Sequence, residues 1–241
     1  MPLLEGRNII KYFGSLTALG GVDFSLEAGE ALGMIGPNGS GKTTLFNVIS
    51  GIFPPDSGEL FFNDRPILGL KPHEICKMGV ARTFQVVQPF IEMTAFENVL
   101  IGALYGRGLD LREGEREAQR VLDFIGLSKK RDLPANSLTT PDRKRLELGR
   151  ALATGAKVIL LDETMAGLTP AEVEETLEIL RKIRDEGVAL FVVEHVMRAV
   201  MGISRRVIVL NYGMKIAEGR PEEVASDERV IEAYLGERYA G

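Results

Sequence analysis

The chain runs to 241 residues, 45% of them hydrophobic and 26% charged, with a formal net charge of −5. It is large and apolar enough to bury a sizeable core, and its acidic balance argues against a protein whose main task is gripping nucleic acid. One cysteine, Cys76, excludes an internal disulfide and reads as a small apolar residue in an intracellular protein, and no run approaches the roughly 18–20 apolar residues of a membrane span.

In chain order, residues 1–7 lack the basic-then-apolar order of a signal peptide, so the chain is expected not to cross a bilayer by itself. Residues 8–13, 22–26, 31–35 and 59–63 are short apolar or alternating runs between glycine turns and read as strands. The third leads into Gly36-Pro37-Asn38-Gly39-Ser40-Gly41-Lys42-Thr43, which fits the phosphate-binding pattern G-x-x-x-x-G-K-[ST] at every fixed position. Glycines let the backbone turn tightly around an anion, so that successive N–H groups point at phosphate oxygens. The positive end of the helix that follows, from Thr44 to residue 49, adds to the attraction. Lys42 is expected to reach the β- and γ-phosphates, and the Thr43 hydroxyl to ligate Mg²⁺.

Residues 54–58 form a strong turn, and 72–78 a short helix opened by proline. Helical spacing dominates over 95–104, 113–125 and 142–153, the last with Thr140 as N-cap and Pro141 at its first position. Strand character returns at 157–162, and a long helix follows over 170–186. Residues 188–194 read as a strand, 196–201 as a short helix, 206–210 and 215–218 as a hairpin, and 227–235 as a terminal helix. Strands alternating with helices imply an α/β fold with a mostly parallel, helix-covered sheet and an inserted helical segment. At the end of an apolar strand, Asp162 is placed to hold Mg²⁺ through water, and Glu163 to polarise a water for attack on the γ-phosphate.

These residues also carry a resemblance that covers nearly the whole chain. The order P-loop, Gln85 within Ala81-Arg82-Thr83-Phe84-Gln85, helical insert, Leu160-Leu161-Asp162-Glu163 and Glu194-His195 resembles the nucleotide-binding subunit of an ATP-binding-cassette (ABC) transporter. The strings at 79–85, 93–100, 166–172, 192–195 and 232–236 are similar to those of the cytoplasmic ATPases of branched-chain amino acid importers. The resemblance implies a RecA-like core over 1–85 and 156–241, with an N-terminal antiparallel β-subdomain and a helical subdomain over 86–155, all one nucleotide-binding domain. It implies that Phe13, or Tyr12 in its place, stacks on adenine; that Gln85 touches Mg²⁺ and the attacking water; and that His195 contacts the γ-phosphate. ATP and Mg²⁺ are the implied ligands. Permease subunits, a second ATPase subunit and, indirectly, a solute-binding protein are the implied partners, at the cytoplasmic face of the membrane.

One departure matters. The family's leucine-serine-glycine-glycine-glutamine signature stands here as Leu138-Thr139-Thr140-Pro141-Asp142. In the family this segment closes over the partner's nucleotide. Thr139 can replace the serine hydroxyl, but Pro141 deletes an N–H donor and Asp142 brings a carboxylate toward an anion. The expectation is a heterodimer of unequal sites, with a homodimer of two slow sites as the alternative. Other readings weighed are a lipopolysaccharide-exporter ATPase, a DNA-repair or chromosome-organising ATPase, and a regulatory subunit with weak hydrolysis. The 82–85 and 166–170 strings favour the importer, no zinc-binding cysteines or coiled coil support the second, and Glu163 with His195 argues against the third.

Overall fold

The computed structural model describes residues 1–194 and 197–239. The chain begins with β1 (Leu4–Phe13), β2 (Leu16–Leu26) and β3 (Ala31–Ile35), then α1 (Lys42–Ile49), β4 (Ser57–Phe62), β5 (Arg65–Pro66), α2 (Pro72–Met78) and β6 (Val80–Arg82). Three helices follow: α3 (Ala95–Ile101), α4 (Leu111–Phe124) and α5 (Thr140–Ala153). The remainder alternates, β7 (Val158–Asp162), α6 (Pro170–Asp185), β8 (Ala189–Val193), α7 (Met197–Ile203), β9 (Arg206–Asn211) and β10 (Met214–Gly219), before α8 (Pro221–Ala225) and α9 (Glu228–Tyr239).

The first strands form an antiparallel sheet in the order β2-β1-β4-β5. β1 and β2 begin earlier than their apolar patterns suggest, because register shifts between Gly6 and Ile10, with Asn8 at φ 48°, break the alternation that marks a strand. The second sheet has the order β10-β9-β3-β8-β7-β6. All its pairings are parallel except that of β10 with β9. Every residue of β3, β7 and β8 is buried, which is why these strands read as unbroken apolar runs. The α/β architecture with an antiparallel subdomain is as expected.

Between the two sheets lies a core of Leu4, Leu32, Phe46, Leu60 and Phe191, with the Phe46 and Phe191 rings crossing edge-on at 5.1 Å. On the other face of the large sheet, Ile159, Leu161 and Leu190 share one apolar cluster with Val99 of α3, Val121 of α4, Leu146 of α5 and Leu180 of α6. Through this cluster the helical insert rests on β7 and β8.

Two further differences from the sequence reading bear on α5. The helix expected over 95–104 ends as α3 at Ile101 and continues as a π-helical turn, Gly102–Gly106. A side chain at Gly102 would lie 2.5 Å from the Arg150 carbonyl, so this turn lies directly against α5. The N-cap of α5 is Thr139, not Thr140: Thr139 has extended backbone angles and its hydroxyl accepts from the Asp142 N–H, leaving Pro141 within the first turn. β6 and α8 escape the sequence reading because each is five residues or fewer.

Candidate active site

β3, β8 and β7 lie side by side, so the segments leaving their carboxyl ends converge on one edge of the sheet. The loop after β3 depends on its glycines. Gly36 has φ 153° and a side chain there would meet the Leu210 carbonyl at 2.1 Å; Gly41 has φ 106° and would meet the Ala18 carbonyl at 2.6 Å. Gly41 also caps α1 in a left-handed conformation, no side chain caps that helix, and its first turn holds no acid. No side chain of its own first turn therefore offsets the positive end of α1. Within this loop Gly36, Pro37 and Ser40 are buried, Asn38 and Gly39 exposed. Lys42 is 5% exposed and its ammonium folds back to donate to the Gly36 and Pro37 carbonyls, both at 2.8 Å. Thr43 is exposed and Thr44 half-buried. The Ser40 carbonyl accepts from the Gly213 N–H at 3.0 Å, and Gly20 donates to the Gly213 carbonyl at 2.8 Å, so β2 and the β9–β10 turn brace the loop.

The β1–β2 hairpin lies against the same loop. At its tip Phe13 pairs with Leu16, and its ring meets Phe53 edge-on at 5.4 Å while 48% of the residue stays exposed. Tyr12 is equally exposed, and Asp56 receives its N–H at 2.6 Å. Phe53 packs against the Phe13 ring, and the Lys11 ammonium lies over it, 5.7 Å from the centroid.

At the end of β7, Asp162 is 3% exposed and accepts from Arg82 Nη2 at 2.8 Å. Glu163 follows with φ 49°, a left-handed conformation that strains a residue with a side chain, held by its N–H bond to the Val193 carbonyl at 2.9 Å. Gln85, exposed on the loop after β6, donates its amide Nε2 to Glu163 Oε2 at 2.6 Å. Two residues 78 apart in sequence thus meet. His195, the expected γ-phosphate contact, lies outside the described residues. The oxygen donors Thr43, Gln85 and Asp162 suit magnesium, which binds through one or two carboxylates and completes its shell from phosphates and water. No group of three or more His, Cys, Asp or Glu that could hold a metal ion is found among the described residues.

The Leu138–Asp142 segment is satisfied from within. The Thr139 hydroxyl donates to Asp142 Oδ2 at 2.7 Å, and Lys130 Nζ reaches the same oxygen at 2.5 Å. Burial opposes ionisation of Asp142, but those bonds and the Lys130 and Arg145 charges hold its carboxyl below the ordinary value. The carboxylate that the sequence reading brings toward an anion is bonded within the chain to its own cap and to Lys130.

Several residues escaped the sequence reading. Lys144 donates to the Thr164 and Ala166 carbonyls at 2.9 and 2.7 Å, strapping α5 to the segment after Glu163, and burial lowers its pKa. Glu194, 1% exposed, accepts from the Met165 N–H at 2.7 Å. Glu147 is 4% exposed, accepts from the Phe84 N–H at 3.1 Å, and burial pushes it up to about 7. Lys144 and Glu147 fall within the helix read over 142–153 without a role assigned to either; only their position on the inner face of α5 distinguishes them. A groove of about 340 Å³ runs between the large sheet and α5, lined by Arg82, Phe84, Phe90, Glu147 and Arg150. Cys76 is half-buried in its wall and burial raises its thiol pKa, which suits an inert small residue.

A cavity of about 870 Å³ opens at the opposite edge, around Glu30, Ala31 and Gly219. Among its charged groups Arg206 pairs with Glu30 and Arg220 with Glu223, and none of the loops above reaches it.

Comparison with known proteins agrees with this geometry. The sequence profile of the family described as ABC transporter matches residues 19–166, and that described as branched-chain amino acid ATP-binding cassette transporter matches residues 214–240. The high-affinity branched-chain amino acid transport ATP-binding protein BraF of Pseudomonas aeruginosa is 38% identical, with 98% of each chain covered. The corresponding LivG of Escherichia coli K12 is 37% identical at the same coverage. Among solved structures, a nucleotide-free ATP-binding cassette from an ABC transporter has a TM-score of 0.89 at 35% identity, covering 97% of this chain and 99% of that one. A dimeric post-hydrolysis cassette bound to ADP and Pi has a TM-score of 0.80 at 26% identity, covering 90% and 98%. From its nucleotide-cradling loop to its C-terminal hairpin, the chain belongs to the ABC transporter family, as an ATP-binding and ATP-hydrolysing cassette.

Proposed function

We propose that this cassette energises the import of branched-chain or related amino acids through separate permease subunits. The observation that carries the catalytic part is the meeting of Gln85 with Glu163 at 2.6 Å, on the sheet edge that also holds the phosphate loop. Backbone N–H groups over 36–44 and the Lys42 ammonium bind the triphosphate, and Phe13 stacks on the base. Magnesium, when bound through Thr43, Asp162 and Gln85, neutralises the charge that develops on the phosphates. Glu163 accepts a proton from the attacking water, which Gln85 orients; His195 supplies a contact to the γ-phosphate. The C-terminal profile over 214–240 and the names of the relatives support the branched-chain substrate class and favour an importer over an exporter.

The groove at Phe84, Phe90 and Arg150 receives a permease helix, and through it the chain sits at the cytoplasmic face of the membrane. No helix among the described residues is long and apolar enough to cross it. The dimeric neighbour supports a two-cassette assembly. Within it, Thr139 and its neighbours face the partner's nucleotide, and their departure from the signature makes a heterodimer of unequal sites the favoured arrangement. A solute-binding protein acts outside the membrane, and nucleic acid plays no part. The test is uptake of labelled leucine by proteoliposomes containing the complex co-purified from membranes. ATP-dependent accumulation that disappears with Glu163→Gln supports the reading. Efflux, or accumulation indifferent to that substitution, overturns it.

A further inference from the structure

Arg82 joins three parts of the molecule that the proposed chemistry uses separately. It ends β6, three residues before Gln85, and its side chain is 6% exposed. Its Nη2 donates to Asp162 Oδ2 at 2.8 Å. Its Nη1 donates to Asn47 Oδ1 at 2.6 Å and to Ser50 Oγ at 3.0 Å, both at the far end of the helix that begins with Lys42. The guanidinium also lies against the rings of Phe46 and Phe84, 5.7 and 5.1 Å from their centroids. Its remaining nitrogen, Nε, is buried without a partner. A buried guanidinium persists only where its pairings fix it, and its planar fork carries that rigidity to each group it holds. Arg82 is also a wall of the groove between the sheet and α5, next to Phe84, whose N–H is bonded to Glu147.

We propose that Arg82 is a positioning residue that aims the Asp162 carboxylate at the magnesium site and links that aim to the groove. With Oδ2 committed to Arg82, the carboxylate cannot rotate freely, and Oδ1 is the oxygen left for the metal side. Displacement of Phe84 by a helix in the groove moves the ring against which the guanidinium rests, and the fork transmits that movement to Asp162 and to the C-terminal end of α1. This route runs beside Gln85 and rests on the nucleotide site proposed above. Partners that orient metal ligands typically contribute about 10- to 100-fold to metal affinity.

The experiment is calorimetric titration of the full chain with ATP, once with EDTA and once with excess Mg²⁺, for wild type, Arg82→Gln, Arg82→Lys and Asn47→Ala. Arg82→Gln is expected to bind metal-free ATP within about twofold of wild type while losing about tenfold of the enhancement that Mg²⁺ confers. Arg82→Lys, which keeps a cation beside Asp162 but lacks the fork that also holds Asn47 and Ser50, restores only part of that enhancement. Asn47→Ala leaves the buried charge in place and reduces the enhancement about threefold, which keeps the test open if Arg82→Gln does not fold. An unchanged enhancement in Arg82→Gln and Asn47→Ala, or equal losses with and without the metal, overturns the proposal. Failure of wild type to bind ATP under either condition would instead remove the nucleotide site itself.

Discussion

Two helices of this chain invite comparison at their N-terminal ends, α1 at the phosphate-loop motif and α5 at the segment proposed to face a partner's nucleotide. They end differently. α1 starts from a left-handed glycine with no side-chain cap and no acid in its first turn, so its anion affinity is not spent internally. α5 starts from Thr139, which exchanges hydrogen bonds with Asp142, and the carboxylate already occupies the positive end of the helix. A capped end of this kind stabilises the helix by about 1 kcal/mol and leaves fewer groups for a ligand. The difference teaches that a helix terminus is a phosphate site only when the chain declines to satisfy it.

The largest expected effect tests the first of these ends. Glu163→Gln removes the group placed to accept the water's proton while preserving its shape, and ATP turnover is expected to fall about 10²- to 10⁴-fold with Mg-ATP binding intact by calorimetry. Turnover within threefold of wild type would move the base elsewhere.

The inner face of α5 supplies a second contrast. Glu147 is buried with its carboxyl raised to about 7, chiefly by desolvation, with the Phe84 N–H and the Arg150 and Lys144 charges opposing. In the unfolded chain it titrates near the ordinary glutamate value of 4.5. Below that pH both states hold the proton and there is no difference. As pH rises from 4.5 toward 7 the unfolded chain ionises first, so the folded state loses stability, by about 3 kcal/mol in all, and the loss is complete above 7. Urea unfolding of wild type and Glu147→Gln across that interval isolates this group: the stability difference between them should shift by that amount. A difference that stays flat with pH would show that Glu147 is solvated or paired. Lys42→Ala comes next, losing a charge-assisted bond to phosphate worth about 1.5–3 kcal/mol, hence roughly 10- to 100-fold in ATP affinity.

The two ends also differ in how far they were legible. The phosphate loop is contiguous and each fixed residue has a local reason, so Gly36 to Thr43 could be read from eight letters. Glu163 was readable because a buried strand ends there, but its contact with Gln85 spans 78 residues and depends on β6, a three-residue strand with no periodicity to announce it. Arg82 was quoted only as part of a motif, since nothing in sequence says that Asn47, Ser50 and Asp162 surround it. At α5 the substitution pattern was visible, whereas its consequence was not. The one-residue shift of the cap to Thr139 is local, made with Asp142 three residues on, whereas the turn of Asp142 toward Lys130 depends on where the 128–131 segment lies.

The smallest effect sharpens the comparison most, because it converts the second end into something like the first. Pro141→Gly together with Asp142→Gln returns a backbone N–H to the first turn of α5, removes the carboxylate and releases the Thr139 hydroxyl from its bond to Oδ2. Helix stability should fall by about 1 kcal/mol as the cap pair and its contact with Lys130 are lost, visible as a lower urea midpoint. Nucleotide chemistry should move the other way. One regained donor to a phosphate is worth about 1.5 kcal/mol at its low end, so turnover at the partner's site in the assembled complex should rise about tenfold. Making the measurement with Glu163→Gln in this chain silences its own site and leaves the partner's as the one observed. A drop in stability without any gain in turnover would mean that the end of α5 never meets the partner's phosphate. The self-capping would then be ordinary helix chemistry and not the cause of unequal sites.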